Sequence, residues 1–321
     1  MKKISIIIPI YNSSSFLQRC VTSLLEQDFK DIEYIFINDA CTDDSMSILE
    51  KTIKTGGGVG YDFKIINHLQ NKGSQQTRKT GLDNASGEYV LFADSDDFYE
   101  QGMISEMINL AITQNADMVV CDMIFEYKNR QIYVREKYNK LRENEHLKAL
   151  IGGFILPSLP NKLIKRDLLK DIKFANFSYG EDQYLMAQIF NIVKKVAYIP
   201  KPFFHYNKLN KNSLSTKINQ RTIDDLKLMH LNLLDFLESI GANSEIIKLH
   251  RARLIKIVFY NVETNLINAL KRIDKKAVNI FLILSSKNYT FVQKIVSSLP
   301  FFGLEFLFRI VRQIFRNTRK N

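Results

Sequence analysis

Short apolar segments alternate with helix-like segments in the N-terminal part of the chain, and this alternation constrains the fold more than any other feature. The apolar segments are rich in β-branched or aromatic residues and are bounded by polar ones, which is typical of strands buried in a parallel sheet. Strands joined in turn by helices predict a doubly wound α/β sheet. We expect the strands at Ile4–Ile10, Glu33–Ile37, Phe63–Ile66 and Tyr89–Ala93, with helices beginning near Phe16, Ser45 and Ser74.

The middle of the chain continues the pattern less regularly. The segment 144–169 is predicted to be mostly helical, although glycines and prolines interrupt it. The other elements expected here are helices at 102–114 and 183–193, strands at 117–125 and 196–206, and a polar hairpin near 128–134.

The C-terminal third is predicted to be helical, with no proline from residue 220 until Pro300. Its last segment has a basic stripe (Arg309, Arg312, Arg316, Arg319) opposite an apolar face (Leu307, Ile310, Val311, Ile314). This pattern is typical of a helix at the interface of an anionic membrane. Packing on the domain or on a second subunit is the alternative. We therefore expect three parts: a doubly wound domain at 1–215, a helical region at 216–298 and a basic amphipathic helix at 299–321.

The net charge of +11 predicts an anionic partner. A phosphorylated substrate or an acidic membrane surface fits better than nucleic acid, because no nucleic-acid-binding motif occurs. The three cysteines, Cys20, Cys41 and Cys121, have neither metal-site nor disulfide-framework spacing, which favours a reducing cytoplasm. No stretch reaches the ~18 apolar residues of a membrane span. Pro9 interrupts the N-terminal apolar run, which favours a strand over a signal peptide.

Three carboxylates, Asp94, Asp96 and Asp97, follow the strand at 89–93. Open α/β sheets bind their ligands at the carboxyl ends of the strands. Residues two apart on an extended chain point the same way, so Asp94 and Asp96 can converge on one point. Such hard oxygen ligands, with room for water and phosphate, suit Mg²⁺ or Mn²⁺. A solvated acidic loop is the alternative interpretation.

Polar groups also follow the first two strands, at Tyr11-Asn12 and at Asn38-Asp39. The ends of these strands lie side by side in a doubly wound sheet, so they can form a nucleotide cleft. A further carboxylate pair, Glu181-Asp182, opens a predicted helix. Taken alone, that pair is explained by the favourable interaction of carboxylates with the helix dipole.

Together these segments resemble the family 2 glycosyltransferases, which are inverting enzymes of the GT-A fold. The resemblance extends from about Ile4 to Ser215 and does not cover the C-terminal third. Each motif alone is weak, but five in the family's order are specific. The matching strings are SIIIPIYN (Ser5–Asn12), QDFKDIEYIFINDACTDDS (Gln27–Ser45), NKGSQQTRKTGLDNASGEYVLFADSDD (Asn71–Asp97), NKLIKRDLL (Asn161–Leu169) and GEDQYL (Gly180–Leu185), with HYNKLNKNSLS (His205–Ser215) as a weaker match.

The resemblance implies a role for each matching residue. Asp39 would contact the nucleobase, usually uracil, and Arg78 would approach the donor phosphate or sugar. Asp96 would be the principal ligand of Mn²⁺ or Mg²⁺, with Asp94 close to the ribose and the metal and His205 as an additional candidate ligand. The donor pocket would also include Pro9, Tyr11, Asn12 and Ser95.

The catalytic role implied by the resemblance falls on Asp182, as the general base that takes a proton from an acceptor hydroxyl. Glu181 is the adjacent alternative. Lys162 and Lys208 are weaker candidates for contacts with the diphosphate or acceptor. Ala40 stands where the family usually has glycine, which suggests a slightly different turn after the second strand. The chain has no tryptophan and so lacks the Gln-x-x-Arg-Trp string of processive synthases.

We therefore expect a metal-dependent transferase that adds one sugar from a nucleotide-diphospho-sugar, usually a UDP-sugar, to a glycan acceptor. A lipid-linked acceptor, a cell-surface polysaccharide pathway and a peripheral position on the cytoplasmic membrane face follow from the terminal helix and the family. The alternatives are a sugar nucleotidyltransferase, which would need a basic glycine-rich loop after the first strand, and a non-catalytic relative that binds donor or membrane.

Overall fold

The computed structural model describes residues 3–56, 61–210, 220–261, 265–287 and 289–320, with side chains for all of these except 220–222, 261 and 313–320. The chain divides into two compact units, Met1–His146 with Leu156–Ser213 and Leu147–Ile155 with Leu214–Asn321. The boundary that the sequence suggests at residue 215 lies outside the described residues.

The first unit is built on one mixed sheet. Its strands, within the described ranges, are β1 (Ile4–Ile10), β2 (Ile32–Asn38), β3 (Asp62–Asn67), β4 (Tyr89–Phe92), β5 (Phe98–Tyr99), β6 (Met118–Tyr127), β7 (Arg130–Val134), β8 (Lys162–Lys165) and β9 (Val196–Asn207). The spatial order is β3-β2-β1-β4-β8-β6-β9-β5, and β7 pairs with β6. The first four strands in that order are parallel, and β8 runs antiparallel to both of its neighbours. The predicted doubly wound mixed sheet flanked by helices is confirmed.

Helices connect the strands of the first unit and make up most of the second. The six that begin in the first unit are α1 (Leu17–Leu25), α2 (Ser45–Thr55), α3 (Ser74–Asp83), α4 (Met103–Gln114), α5 (His146–Gly152) and α6 (Glu181–Ile192). Those of the second unit are α7 (Gln220–Ser239), α8 (Ser244–Asn261), α9 (Leu266–Ile273), α10 (Ile280–Ser285), α11 (Phe291–Ser298) and α12 (Glu305–Lys320). Short 3₁₀ turns occur at Tyr138–Lys140, Arg166–Leu169, Lys275–Ala277 and Leu299–Phe302.

Helix α3 lies unusually close to β1 and β2, and Gly81 is the reason. A Cβ atom at Gly81 would be 2.3 Å from Cγ2 of Ile7 and 2.9 Å from Cδ1 of Ile37. Any larger residue would push the helix off the sheet. The close approach positions the helix that contains Arg78 against the strands whose ends form the polar loops.

The prediction of a mostly helical segment at 144–169 is wrong for its second half. Lys162–Lys165 is strand β8, which pairs with β4 on one side and β6 on the other. Only Leu163 and Ile164 are apolar in this strand. A pattern of two apolar residues between lysines does not distinguish a strand from a helix.

The terminal helix α12 is oriented by Phe308, whose ring packs edge-to-face on Phe259 with centroids 5.2 Å apart. Arg312, one turn later on the same side, is buried, whereas Leu307 and Ile310 are exposed. The predicted arginine stripe is therefore not a continuous exposed face, because the helix turns Arg312 inward together with Phe308 and turns Leu307 and Ile310 outward. Ile314, Arg316 and Arg319 lie outside the residues whose side chains are described. No helix in the described part of the chain is both long and apolar enough to cross a membrane.

Candidate active site

The carboxyl ends of β1, β2 and β4 meet at one edge of the sheet. Ile10 pairs with Asn38 at the end of β2, and the amide of Ala93 donates to the carbonyl of Ile7 at 2.9 Å. Pro9 is the penultimate residue of β1 and is half-buried. The polar loops that follow these strands are therefore brought together by the parallel register.

Side chains tie these loops to one another. Asn12, with φ +49°, accepts a hydrogen bond from the backbone amide of Thr42 at 2.8 Å. The hydroxyls of Ser13 and Ser95 are 2.6 Å apart, which joins the loop after β1 to the acidic loop. Tyr11, in the loop after β1, is 50% exposed and so presents its ring to solvent. An exposed ring on a fixed loop is available for stacking on a planar ligand.

Asp39 holds the loop that precedes α3. One carboxylate oxygen accepts from the amide of Lys72 at 2.9 Å and lies 2.7 Å from Nδ1 of His68, and the other accepts from the amide of Gly73 at 3.0 Å. The residue is only 3% exposed. Asp39 is therefore first of all an anchor for this loop. Ala40 next to it has φ +58°, the left-handed conformation that glycine favours.

The acidic loop places its carboxylates differently. Asp94 is partly exposed, and Asp96 accepts a hydrogen bond from the side-chain amide of Asn210 at 2.8 Å. Asp97 is buried and accepts from the backbone amide of Asn207 at 2.8 Å. Asp97 thus ties the loop to β9, and the N-terminal cap of α4 is Gly102.

The charge balance of this loop favours a cation. Burial raises the pKa of Asp96, and the carboxylate of Asp94 raises it further. Burial raises the pKa of Asp97 well above its usual range, and the carboxylates of Asp96 and Asp94 add to this shift. Oδ2 of Asp97 is buried without a partner among the described residues. Within those residues no three His, Cys, Asp or Glu side chains form a closed metal site. Two carboxylates at the mouth of a cleft fit a divalent ion whose remaining ligands are water and phosphate.

Arg78, on α3, bridges the acidic loop and the start of α6. One terminal nitrogen donates to Asp94 at 2.7 Å, and the other donates to Asp182 at 2.9 Å and approaches Glu181 at 3.4 Å. The arginine is 3% exposed. Burial opposes its charge, but the carboxylates of Asp94, Asp182 and Glu181 outweigh that effect and raise its pKa. Arg78 is therefore a cation enclosed by acids, and its bidentate geometry fixes two of them.

Glu181 and Asp182 are the first residues of α6, after Gly180 at φ +80°. The hydroxyl of Ser74 donates to Glu181 at 2.6 Å. Burial raises the pKa of Glu181 to about 7, although Arg78 opposes the shift. Burial raises the pKa of Asp182 as well, again against Arg78. Asp182 keeps a more exposed carboxylate than Glu181, so it is the better placed of the two to meet a substrate.

The structure does not support His205 as a metal ligand. Its Nδ1 lies 2.6 Å from the carboxylate of Glu126 and its Nε2 lies 2.7 Å from that of Glu100. The ring also stacks on Phe98, with centroids 4.2 Å apart. Both ring nitrogens are thus engaged, and the histidine fastens β5 to β9.

The predicted contact of Lys162 with the diphosphate or acceptor does not agree with its position in the structure. It is fully buried in β8, and its ammonium donates to the carbonyl of Ser158 at 2.6 Å and to Oδ1 of Asn161 at 2.8 Å. Lys208 lies over the ring of Tyr206, 4.0 Å from its centroid. Burial lowers the pKa of Lys208, and the charge of Asp97 opposes this. Lys208 therefore stays a candidate next to the acidic loop.

The sequence reasoning missed two residues of this region, Ser74 and His68. Ser74 is 107 positions away from Glu181, and His68 is 29 positions away from Asp39. No local pattern marks either residue. Only the pairing of the strands and helices that carry them reveals the contacts.

One edge of the doubly wound sheet thus carries a carboxylate loop, a buried arginine and a second carboxylate pair. The model of the glycosyl transferase family 2 matches residues 5–173. The chain belongs to this family, as its motifs indicate.

The comparisons with individual proteins agree with that assignment. The chain is 31% identical to glycosyltransferase GlyA of Streptococcus pneumoniae over 66% of its own length and 31% of GlyA. It is 27% identical to a Campylobacter jejuni enzyme, GalNAc(5)-diNAcBac-PP-undecaprenol beta-1,3-glucosyltransferase, over 67% of this chain and 68% of that one. The fold is similar to S. aureus TarS 1-349 in complex with UDP-GlcNAc, with a TM-score of 0.71 and 20% identity over 98% of this chain and 92% of that one. The match to GlyA means that this chain spans about a third of the length of that relative.

Proposed function

We propose that the chain transfers one sugar from a nucleotide-diphospho-sugar to a hydroxyl of a glycan acceptor, with inversion at the anomeric carbon. The single observation that supports this most is the bridge from Asp94 through the buried Arg78 to Asp182. It connects a loop suited to a donor diphosphate with a carboxylate suited to activate an acceptor. Membership of the family supports the same reaction.

Asp182 is the general base in this proposal. An acceptor oxygen attacks the anomeric carbon from the face opposite the nucleotide, the bond from that carbon to the diphosphate oxygen breaks, and the acceptor proton passes to Asp182. One displacement inverts the configuration. Burial makes the carboxylate a stronger base than a solvated aspartate, because it raises its pKa. Arg78 holds the carboxylate in position through the 2.9 Å hydrogen bond.

Asp96 and Asp94 are the residues that would hold Mn²⁺ or Mg²⁺. The bound ion would act as a Lewis acid that neutralises the leaving diphosphate, so no acid residue is needed for departure. Lys208 is proposed as a further contact to the diphosphate or acceptor, at low priority.

The donor is proposed to be a UDP-sugar. Tyr11 offers an exposed ring, and Asn12 and Ser95 belong to the loops joined beside it. Asp39 and Pro9 are proposed to complete the donor pocket. The UDP-GlcNAc bound to TarS, a protein of the same fold, supports a uridine nucleotide. The sugar class proposed is a hexose or an N-acetylhexosamine.

The acceptor is proposed to be lipid-linked, within the synthesis of a capsule, a lipopolysaccharide or a similar cell-surface polysaccharide. Support comes from the undecaprenol-linked substrate in the name of the Campylobacter relative and from the basic segment 299–321. The chain would then act peripherally at the cytoplasmic face of the membrane. Deleting the residues after Leu299 should release the protein from anionic liposomes in flotation, and continued flotation would rule out this segment as the anchor.

The transferase site is tested by calorimetric titration of UDP with and without Mn²⁺. Wild type should bind UDP more tightly with the metal, and Asp96→Ala should lose that dependence. Asp83→Ala, which removes an exposed carboxylate paired with Lys79, should behave as wild type. If UDP, GDP and dTDP all fail to bind wild type, the proposed function is wrong.

A further inference from the structure

Exposed apolar side chains concentrate at one end of the second unit. Within the described part of the chain, every phenylalanine that is more than half exposed lies there, namely Phe281, Phe291, Phe302 and Phe306. Large aliphatic side chains are exposed in the same elements, at Leu284, Val292, Ile295, Leu304, Leu307 and Ile310. We name these ten residues the aromatic surface.

The aromatic surface is not an incomplete core. Helices α10, α11 and α12 and the turn at Leu299–Phe302 contact one another and form one continuous structure. Their inward positions are already filled by Ile283, Val296 and Phe308, which are buried. These elements therefore bury some apolar side chains and leave many others exposed, and exposing them to water is costly unless something covers them.

A cleft of about 600 Å³ opens beside this surface. Its walls combine two lysines with aromatic rings, and none of its lining residues belongs to the candidate active site. The lining residues are Lys275, Lys276, Val278, Asn279, Ile280, Phe281, Phe301 and Phe302.

The positive charge at the cleft is not neutralised locally. Asp274, the adjacent acid, already accepts from Arg251 at 2.8 Å and lies 3.0 Å from Nε2 of His230. Neither Lys275 nor Lys276 has an ion-pair partner among the described residues. The sequence from 265 to 312 has eight basic residues and two acidic ones. The surface therefore combines exposed aromatic rings with a net positive charge.

This combination decides between the candidate partners. A second copy of the chain, docked through the same surface, would bring two basic patches together, which is unfavourable. A bilayer with anionic lipids offers acyl chains to the phenylalanines and phosphates to the lysines at the same time.

We propose that the aromatic surface inserts into the interface of an anionic bilayer, with Lys275 and Lys276 at the cleft binding lipid phosphate. This deepens the membrane association proposed above and rests on that part of the proposed function. It assigns lipid contact to α10, α11 and the cleft as well as to the terminal segment.

The test uses the full chain and flotation with two kinds of vesicle, phosphatidylcholine alone and phosphatidylcholine mixed with phosphatidylglycerol. Wild type should float with the mixed vesicles, and added salt should weaken binding. Lys275→Glu with Lys276→Glu should reduce binding to mixed vesicles at least about tenfold, because both charges are reversed. Phe281→Ser with Phe302→Ser should reduce it by a similar factor, because the inserted apolar area is lost.

The matched control is Lys227→Glu with Leu228→Ser on α7. Both residues are exposed and belong to the same unit, but they lie outside the surface and the cleft. This control should float as wild type. Circular dichroism and thermal melts should show that all three variants are folded, since every substituted side chain is exposed.

The proposal is wrong if wild type does not float, or if both surface variants float as well as the control. It is also wrong if wild type is an oligomer in analytical ultracentrifugation and the phenylalanine variant is a monomer, because the surface is then an interface between copies. UDP titration of the same samples separates the two proposals. If the protein does not float but binds UDP normally, only the proposal for the aromatic surface is wrong. If it floats normally but does not bind UDP, only the proposal for the transferase site is affected.

Discussion

The buried Arg78 forms an ion pair with Asp182 at 2.9 Å across 104 positions of the sequence, while the same guanidinium binds Asp94 at 2.7 Å. The proposed base and the proposed metal loop therefore share one cation. A change at Arg78 should affect both ends of the site at once.

Arg78→Lys should lower kcat about a hundredfold, because one ammonium on a flexible stem cannot hold two carboxylates in a fixed geometry. Steady-state kinetics with a UDP-sugar and calorimetry with UDP measure the effect. Lys79→Gln is the control, since the adjacent Lys79 forms only an exposed pair with Asp83. Unchanged kcat in Arg78→Lys would remove the bridge from the mechanism.

The pH dependence of transfer should report the carboxyl pair at the start of α6. The protonated base is inactive, and burial raises the pKa of Asp182 as well as that of its neighbour Glu181, so the rate should be low in acid and should rise only above the range usual for an aspartate. Glu181→Gln removes the neighbouring negative charge, and Asp182 should then lose its proton at lower pH. The acidic limb of kcat against pH should move down accordingly. A limb that does not move would assign the titration to another group.

Asp39→Asn should weaken donor binding and lower stability by about 1–3 kcal/mol, because an amide cannot accept hydrogen bonds at both ends and leaves the N–H of Lys72 or Gly73 without its partner. Thermal melts and the donor KM measure the two effects. Asp44→Asn, at an exposed position in the same part of the chain, should change neither. A normal donor KM in Asp39→Asn would show that the loop anchor is not needed for the donor.

Glu33→Gln should reduce the free energy of unfolding by roughly 3 kcal/mol at neutral pH. Burial opposes ionisation of Glu33, but hydrogen bonds from Lys64, Ser5 and Ser86 lower its pKa from 4.5 to about 2. A lowered folded-state pKa stabilises the protein above 4.5, and this contribution is lost as the pH falls toward 2. Urea unfolding at neutral and acidic pH should therefore show the deficit of the variant shrinking in acid. The exposed Glu50→Gln is the control.

The parallel half of the sheet was predictable from the sequence. Segments such as Ile4–Ile10 and Tyr89–Phe92 are buried on both faces, so their apolar character is continuous and visible without a structure. Strand β8 was not predictable, because Lys162 and Lys165 frame only two apolar residues. Its place between β4 and β6 depends on those neighbours and not on its own composition.

For the candidate site, the sequence by itself determined which loops meet, because residues that follow parallel strands must lie at one edge of the sheet. It thereby brought forward Asp39, Asp94 and Asp96, whereas Asp182 was indicated only by the resemblance to the family. Only the tertiary structure decided what each charged side chain touches. It enclosed Arg78 among acids, buried Lys162 in the core and placed His205 between two glutamates. The reason is physical: a charged group takes its partner, its burial and hence its pKa from residues that are distant in the chain and become neighbours only on folding.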